Sequence, residues 1–208
     1  MKREFRTNSN MRKLFIATVI SILFSQANFA QEKGTHELKV HAGVGTSNTT
    51  IDFITDVLTY PATLGQVIVK NSTTNPAFGI TYKYAIKDRW MLFTEGSYQS
   101  TNKDIFFKQN QTAAAAKSEK RYITAGIGSD YYFLSKDIVQ LYSGASVAYT
   151  FTSESFSNNT AGFKSDSSNY FNFHINAIGL RVGKKLAASI ELGFGYKGIA
   201  NAGISYQF

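Results

Sequence analysis

The sequence contains no cysteine and only two prolines among its 208 residues. The lack of cysteine excludes disulfides, cysteine-ligated zinc, iron–sulfur clusters, thiol catalysis and the acylated cysteine of a lipoprotein. Both prolines, Pro61 and Pro76, fall within or beside one long stretch without periodicity. Because proline cannot donate a ladder hydrogen bond, every other segment is left free to form a β-strand. Any membrane anchor therefore has to be the fold itself.

Charged residues are also few. They make up 17% of the chain, against roughly 25% in soluble domains, whereas aromatic residues reach 14%. This composition suits a sheet that faces apolar surroundings. Half of the formal net charge of +8 lies in residues 1–30, and the lysines beyond them are scattered between segments. Because no basic run with interleaved aromatics occurs there, nucleic acid is not an expected partner.

The N-terminal region has the layout of a secretory signal peptide. Two basic residues precede the apolar stretch 14–24, and a polar break and small residues follow it. The apolar stretch is about half the roughly 20 residues that a transmembrane helix needs, which favours a cleaved signal. We predict a signal peptide over residues 1–30, cleavage between Ala30 and Gln31, and one mature domain over residues 31–208.

From Glu37 onwards the apolar residues recur at every second position, which is the period of a β-strand. In the first segment Leu38 and Val40 lie on one face, and Lys39 and His41 lie on the other. The same alternation returns along the rest of the chain. It predicts eight strands, at about residues 37–44, 78–85, 90–99, 121–134, 139–149, 170–180, 186–196 and 200–208.

The connections between these segments alternate in length. The long ones span residues 46–76, 101–119 and 152–168, the short ones span 86–89, 135–137 and 182–185, and a tight hairpin surrounds Gly198. A barrel with both termini in the periplasm has this order of long outer loops and short inner turns. We therefore predict an all-β fold, an eight-stranded antiparallel up-and-down transmembrane β-barrel.

The second face of the strands distinguishes a membrane barrel from a soluble one. A soluble barrel exposes many Lys, Glu and Asp residues, whereas here this face is dominated by Gly and Ser with a few charges. The interior of an eight-stranded barrel is just wide enough for side chains, so small residues and paired charges fit it. We predict a polar network in the lumen formed by Lys39, Lys83, Glu95, Arg121, Asp130, His174 and Glu191.

Aromatic residues gather near both ends of the predicted strands. Such residues form girdles at the two membrane interfaces of a transmembrane barrel. We assign to the inner girdle Tyr82, Tyr84, Trp90, Tyr131, Phe133, Tyr206 and Phe208. We assign to the outer girdle Tyr98, Tyr149, Phe151, Phe171 and Tyr196.

The C-terminal stretch, with GYKG at 195–198 and AGISYQF at 202–208, resembles the closing hairpin of small outer-membrane β-barrel proteins of the OmpA, OmpX and opacity type. The resemblance extends to the layout of the mature chain. It implies a place in the bacterial outer membrane after export. It also implies that the barrel-assembly machinery recognises the last strand, with Tyr206 and Phe208 as the assembly signal.

The sequence offers little for chemistry. Its histidines, His36, His41 and His174, have no metal-ligand spacing, so neither a metal nor another cofactor is expected. Some barrels of this size trim acyl chains from lipopolysaccharide with a His, Ser and Glu set on the lipid-facing surface. Here the segment 174–176, His-Ile-Asn, lacks a serine two residues after the histidine. We therefore expect no catalytic residues and a protein that is not an enzyme.

Specificity is expected in the long outer loops, because binding residues concentrate on loops held by rigid scaffolds. The first loop combines helix-like spacing over 51–58 with an extended run at 66–69, and either could pair with a partner. Lysines in the second loop suit the phosphates of lipopolysaccharide. We predict a structural, surface-interaction barrel. A narrow channel for small solutes is the alternative, and a lipopolysaccharide-modifying enzyme ranks third. The expected partners are outer-membrane lipid and lipopolysaccharide, the assembly machinery during insertion, and a surface partner at loops 46–76, 101–119 and 152–168.

Overall fold

The computed structural model describes residues 33–52, 67–109, 114–158 and 162–208. The predicted signal peptide, the cleavage site between Ala30 and Gln31 and most of the first loop lie outside these residues. No helix in the described part of the chain is both long and apolar enough to cross a membrane. The strands are β1 (His36–Val44), β2 (Val67–Thr74), β3 (Ala77–Lys87), β4 (Trp90–Phe107), β5 (Ala116–Ser135), β6 (Val139–Ser157), β7 (Asp166–Gly183), β8 (Leu186–Gly195) and β9 (Ala200–Gln207).

The strands form one closed antiparallel ring. Consecutive strands pair from β3 to β9, and β1 pairs with both β3 and β9. The pairing of β4 with β5 completes the circuit. β2 adds no further position to the wall, because it lies end to end with β3 along the same neighbour, β4, with Asn75 and Pro76 between them. The ring therefore has eight strand positions, which confirms the predicted barrel.

Alternation along each strand separates two environments. Leu38 and Val40 of β1 are 43% and 54% exposed, whereas Lys39 between them is 2% exposed. Large apolar side chains point outward on every strand of the ring, and the buried interior is mostly polar. This is the reverse of a soluble barrel. An exposed apolar surface of this extent matches the hydrocarbon of a bilayer and would aggregate in water.

The aromatic residues form the two predicted girdles with one exception. All seven residues of the inner girdle are exposed on the outer surface, and Tyr149 of the outer girdle makes edge contacts with Phe151 and Phe171. Alternation predicts Tyr196 in the outer girdle, but this residue is 1% exposed and lies inside the barrel. The physical reason is that β8 ends at Gly195, where a φ of +137° turns the chain over the rim and ends the alternation.

The barrel wall is much taller on one side than on the other. β4 to β7 contain 18–20 residues each, whereas β8, β9 and β1 contain 8–10. About ten residues of a tilted strand cross a bilayer, so β4 to β7 continue well beyond the membrane. Much of what the sequence presents as the loops 101–119 and 152–168 is therefore strand. Together with β2, the outer parts of these strands form what we term the projecting sheet.

A bulge in β7 changes which residues face the lipid. The register of β7 against β8 shifts between Asn176 and Ile178, and such an extra residue reverses the alternation beyond it. Phe173 and Ile175 face outward before the bulge, and Ile178, Leu180 and Val182 do so after it. As a result Arg181 turns into the lumen, where it is 1% exposed.

Candidate functional site

Among the described residues, four carboxylates and four basic side chains lie in the lumen. All eight are buried, and their formal charges balance: Glu37, Glu95, Asp130, Glu191, Lys39, Lys83, Arg181 and Lys197. Burial of a charge is costly unless an opposite charge and further hydrogen bonds compensate it. The arrangement of the pairs therefore decides whether the lumen is filled or open.

The innermost group joins five strands of the wall. Arg181 Nε on β7 lies 2.9 Å from Glu37 Oε2 on β1, and Gln207 Nε2 on β9 donates to the same oxygen at 2.8 Å. Lys83 Nζ on β3 lies 2.7 Å from Asp130 Oδ2 on β5 and 3.8 Å from Glu37 Oε1. Because β1, β5 and β7 are separated by two or three positions around the ring, these side chains bridge the lumen near the periplasmic end.

A second group lies in the middle of the barrel. Lys39 Nζ is 2.6 Å from Glu191 Oε1, and Tyr142 Oη donates a hydrogen bond of 2.7 Å to that oxygen. Lys83 Nζ lies 4.7 Å from the centre of the Tyr142 ring, so an aromatic face also contacts this cation. The first and second groups are thus in contact through Lys83 and Tyr142.

The third group centres on Glu95. Its carboxylate accepts hydrogen bonds from Thr81 and Ser146, each at 3.2 Å, and a short one from Tyr196 Oη. Lys197 Nζ lies 3.1 Å from Glu95 Oε2. Tyr196 and Lys197 belong to the turn between β8 and β9, so this turn folds into the barrel and closes the upper lumen.

The two lumen histidines pack against glycines and polar side chains. His41 Nδ1 lies 2.9 Å from Asn201 Nδ2, and the His174 ring lies 5.9 Å from the ring of Tyr196. A Cβ atom at Gly79 would lie 2.5 Å from His41 Cε1, so only glycine leaves room for this imidazole. Among the residues that the structure describes, no three His, Asp or Glu side chains converge on a point that could hold a metal ion.

The structure brings six of the seven predicted network residues into the lumen and leaves one outside. Arg121 is 56% exposed, and its Nε lies 2.8 Å from Glu119 Oε1 on the same strand. The hydrogen bond from Arg121 lowers the pKa of Glu119. The lumen assignment of Arg121 is wrong because the alternation that points Ile123 outward also points Arg121 outward.

Three charged lumen residues were absent from the predicted network. Glu37 shares its face with Lys39, so alternation alone identifies it. Arg181 is concealed by the bulge in β7, and Lys197 lies in a turn, where alternation has no meaning. The charge balance gives the remaining indication that a basic residue is missing from the predicted network. Without Arg121, the predicted network holds three carboxylates and only two lysines.

A short helix at residues 47–52 lies across the outer mouth of the barrel. Thr46 caps its N-terminus by accepting a hydrogen bond from the Thr49 amide at 3.2 Å, and it donates to Gln99 Oε1 on β4 at 2.8 Å. Asn48 accepts from Tyr170 and Asn172 on β7 at 2.8 and 3.0 Å. The sequence predicts a helix over 51–58, but it begins earlier, and residues 53–58 lie outside the described part.

The last described residue of this helix, Asp52, is fixed to β5. Lys120 Nζ lies 2.9 Å from Asp52 Oδ1, and Tyr122 Oη donates a short hydrogen bond to Asp52 Oδ2. The helix, which we term the outer cap, is thereby attached to β4, β5 and β7. Buried side chains thus bridge the lumen at three heights, and the outer cap lies over its outer end.

The projecting sheet has an unpaired edge at β7. Residues 166–172 pair with β6 on one side, and no described strand pairs with them on the other, because β8 begins to pair only at His174. The amides of Ser167 and Phe173 donate instead to the side-chain oxygens of Asp166 and Asn172, at 2.8 and 2.9 Å. Since alternate residues point the same way, the amides of Asn169 and Phe171 face the same edge.

Comparisons with known proteins agree with this architecture. Residues 16–207 match the family described as "Outer membrane protein beta-barrel domain". The crystal structure of OprG from Pseudomonas aeruginosa is similar with a TM-score of 0.54 at 12% identity, covering 87% of this chain and 99% of that one. The N-terminal β-barrel domain of Pseudomonas aeruginosa OprF gives a TM-score of 0.51 at 13% identity, with 86% and 100% covered. At such identities the likeness shows a shared fold. No curated protein sequence matches the chain.

Proposed function

The chain belongs to the outer membrane protein β-barrel domain family and lies in the bacterial outer membrane, and from that premise we propose that it is a non-enzymatic barrel that binds a partner at the cell surface. The unpaired edge of β7 carries the proposal. It lies in the projecting sheet, above the apolar band, and its side chains at Asp166, Ser167, Ser168 and Asn169 are exposed. A partner outside the cell can therefore reach it.

This edge has the properties of a template for strand addition. An extended peptide pairs with an unpaired strand through main-chain hydrogen bonds, and side chains on alternate residues supply specificity. Edge strands are usually protected by lysine, proline or a bulge. Residues 166–172 contain neither lysine nor proline, and they pair with β6 without a bulge. Phe171, which is 87% exposed, adds an apolar contact at the base of the edge.

The lumen supports a scaffold rather than a channel. The three groups of buried charges bridge the wall at successive heights, and the outer cap covers the mouth. A solute would have to separate charges that are paired in a medium of low dielectric constant, and breaking such pairs is strongly unfavourable. His174, the histidine that an acyl-trimming enzyme would place toward lipid, lies in the lumen at 1% exposure. These features favour a binding role over transport or hydrolysis.

The other expected partners also fit positions in the structure. Arg121 and Lys117 lie on the outward face of the projecting sheet, where lipopolysaccharide phosphates would meet them. Tyr206 and Phe208, the proposed assembly signal, end the strand that closes the ring. Phe208 stacks on the ring of His36 in β1 with 5.5 Å between centroids. If the assembly machinery binds this C-terminal end before the barrel closes, the contact between Phe208 and His36 would form last.

The proposal is tested with the folded protein in lipid nanodiscs and a phage-displayed library of short peptides. We expect the library to yield peptides that bind in an extended conformation. Asn169→Pro removes one amide from the free edge, so it should weaken their binding by about tenfold or more. Asn169→Ala keeps the amide and should bind like the wild type. Failure to enrich any peptide, or equal binding to the proline variant, would contradict strand addition at this edge.

A further inference from the structure

Two buried histidines lie in the lumen between the Lys39–Glu191 pair and the group around Glu95. Neither His41 nor His174 belongs to an ion pair, and both are buried. Among the described residues, no side chain or backbone group forms a hydrogen bond with His41 Nε2 or with either ring nitrogen of His174. A buried polar atom without a partner is unfavourable. Such atoms therefore indicate a second arrangement of the lumen in which the imidazoles are better accommodated.

The charges around the two imidazoles balance only while both rings are neutral. The same four groups act electrostatically on each ring, namely the ammonium groups of Lys39 and Lys197 and the carboxylates of Glu95 and Glu191. Each carboxylate is already paired with one of these lysines, at 3.1 and 2.6 Å. A proton on either ring therefore adds a buried cation for which no unpaired anion remains. Such a charge is strongly unfavourable unless water reaches it.

The turn between β8 and β9 is the part of the structure that can admit this water. Tyr196 and Lys197 of the turn are buried inside the barrel, and the ring of Tyr196 lies 5.9 Å from the ring of His174. Gly195 and Gly198, with φ angles of +137° and +106°, bracket the two inward residues. Glycine occupies and leaves such angles without a steric penalty. The chain can therefore pivot at both ends of the inward segment.

Backbone hydrogen bonds attach the turn to strands on both sides. The Tyr196 amide donates to the carbonyl oxygen of Phe173 on β7 at 3.2 Å, and the Ile199 amide donates to that of Val44 on β1 at 2.8 Å. Both amides lose their acceptors when the turn moves outward together with the side chains that bind Glu95. Their exchange with solvent hydrogen therefore reports the position of the turn.

We propose that His41 and His174 form an acid-sensitive switch that releases the β8–β9 turn from the lumen. In contact with water an imidazole takes up a proton below about pH 6.5. The new charge is repelled by the ammonium group of Lys197, and outward movement of Tyr196 and Lys197 hydrates it. Because the open state binds more protons than the closed state, the closed state is lost as the pH falls through this range. The side-chain groups nearer the periplasm stay in place, so only the upper lumen opens. The switch requires no partner at the β7 edge.

The test measures amide hydrogen exchange of the folded protein in lipid nanodiscs at pH 7.5 and pH 5.5. Each rate is divided by the intrinsic rate of an unprotected amide at the same pH. We expect the protection of the Tyr196 and Ile199 amides to fall about tenfold or more at the lower pH. The amide of Ile127, which lies between two paired strands, should keep its protection. Protection of the turn that is independent of pH, or an equal fall at Ile127, would overturn the switch.

The chain contains three histidines, which provide a matched comparison. His41→Gln/His174→Gln keeps neutral polar side chains in the lumen, so the protection of Tyr196 and Ile199 should be the same at both pH values. His36→Gln removes a histidine outside the lumen, where the ring stacks on Phe208, and should retain the wild-type response. Heat-modifiability on a denaturing gel shows that each variant folds. A double variant that still responds to pH would contradict the proposal.

The charge of the rings is measured independently in the wild-type protein from the ¹⁵N chemical shifts of its imidazoles. We expect the rings of His41 and His174 to become charged over the same pH range in which the turn loses protection. Rings that stay neutral while protection is lost would overturn the switch even if the double variant fails to fold.

Discussion

Glu37 shows how a single residue holds the interior together. Its carboxylate forms an ion pair with Arg181 Nε at 2.9 Å, accepts a hydrogen bond from Gln207, and lies 3.8 Å from the Lys83 ammonium group. Each partner comes from a different strand. A buried ion pair adds little net stability over an apolar pair of the same shape, but removal of one member leaves an uncompensated charge. A charged residue in such a lumen can therefore be replaced without a large loss of stability only if its partner is replaced as well.

Replacement of Arg181 tests this constraint. Arg181→Met leaves Glu37 with fewer donors, so we expect the free energy of unfolding to fall by about 3–5 kcal/mol. The double variant Arg181→Met/Glu37→Leu should recover most of the loss. Urea unfolding in lipid vesicles measures both changes, with the exposed Lys184→Met as a control expected to change the stability by less than about 0.5 kcal/mol. A double variant as unstable as the single one would show that packing, rather than charge, dominates at Arg181.

Single residues also show where inference from the sequence ends. Alternation identifies Lys39, Lys83 and Glu191 as inward-facing because they lie in regular parts of strands. The prediction for Arg121 is wrong because it follows the charge of the residue and not its position in the alternation. Alternation cannot identify Lys197, because the direction of a side chain in a turn depends on φ angles such as the +106° of Gly198. Residues at irregular backbone positions need the three-dimensional structure.

At the scale of elements, β7 has two different halves. From His174 onward it pairs on both sides, whereas among the described strands residues 166–172 pair only with β6. In this outer half the amides of Ser168 and Tyr170 point toward β6, and those of Asn169 and Phe171 point to the open edge. One strand therefore has protected and unprotected amides in alternation.

Hydrogen exchange of individual amides provides the measurement. In the folded protein, the amides of Ser168 and Tyr170 should exchange at least about tenfold more slowly than those of Asn169 and Phe171, because only the former are in a ladder. An extended peptide bound at the edge should slow the latter pair. Uniformly slow exchange along 166–172 without peptide would mean that another segment already covers the edge, and uniformly fast exchange would mean that the projecting sheet is not stably formed.

The outer parts of the strands were not predictable from alternation, for a physical reason. Within the bilayer one face meets hydrocarbon and the other meets a polar lumen, so the sequence alternates. Beyond it the outward face meets water, the inward face packs polar side chains such as Ser118, and the stretches 117–121 and 153–155 contain charged and small polar residues on both faces. The ladder continues, as the pairing of Glu119 with Ser155 shows, but it no longer leaves a hydrophobic period. The sequence thus predicts the number of strands but not their length.

At the scale of the whole molecule, several layers of side chains cross the lumen. The inner and middle charge groups, the Glu95 group and the outer cap lie one above another, and each links several strands. We expect no ionic current from the folded protein in a planar bilayer. The variant Glu95→Ala/Lys197→Ala should also remain silent, because the layers above and below still bridge the wall. Stepwise currents from the wild-type protein would support the alternative of a narrow solute channel.

The unequal height of the wall gives the protein a direction within the plane of the membrane. The projecting sheet rises over β4 to β7, and the rim stays low over β8, β9 and β1. The free edge of β7 borders this low arc. A neighbouring molecule can consequently contact this edge from one side of the barrel only. Rotation of the barrel about the membrane normal determines which neighbouring molecules face the edge. In a crowded membrane, where such rotation is hindered, the rotational orientation in which the barrel is inserted would determine which partners can reach the β7 edge.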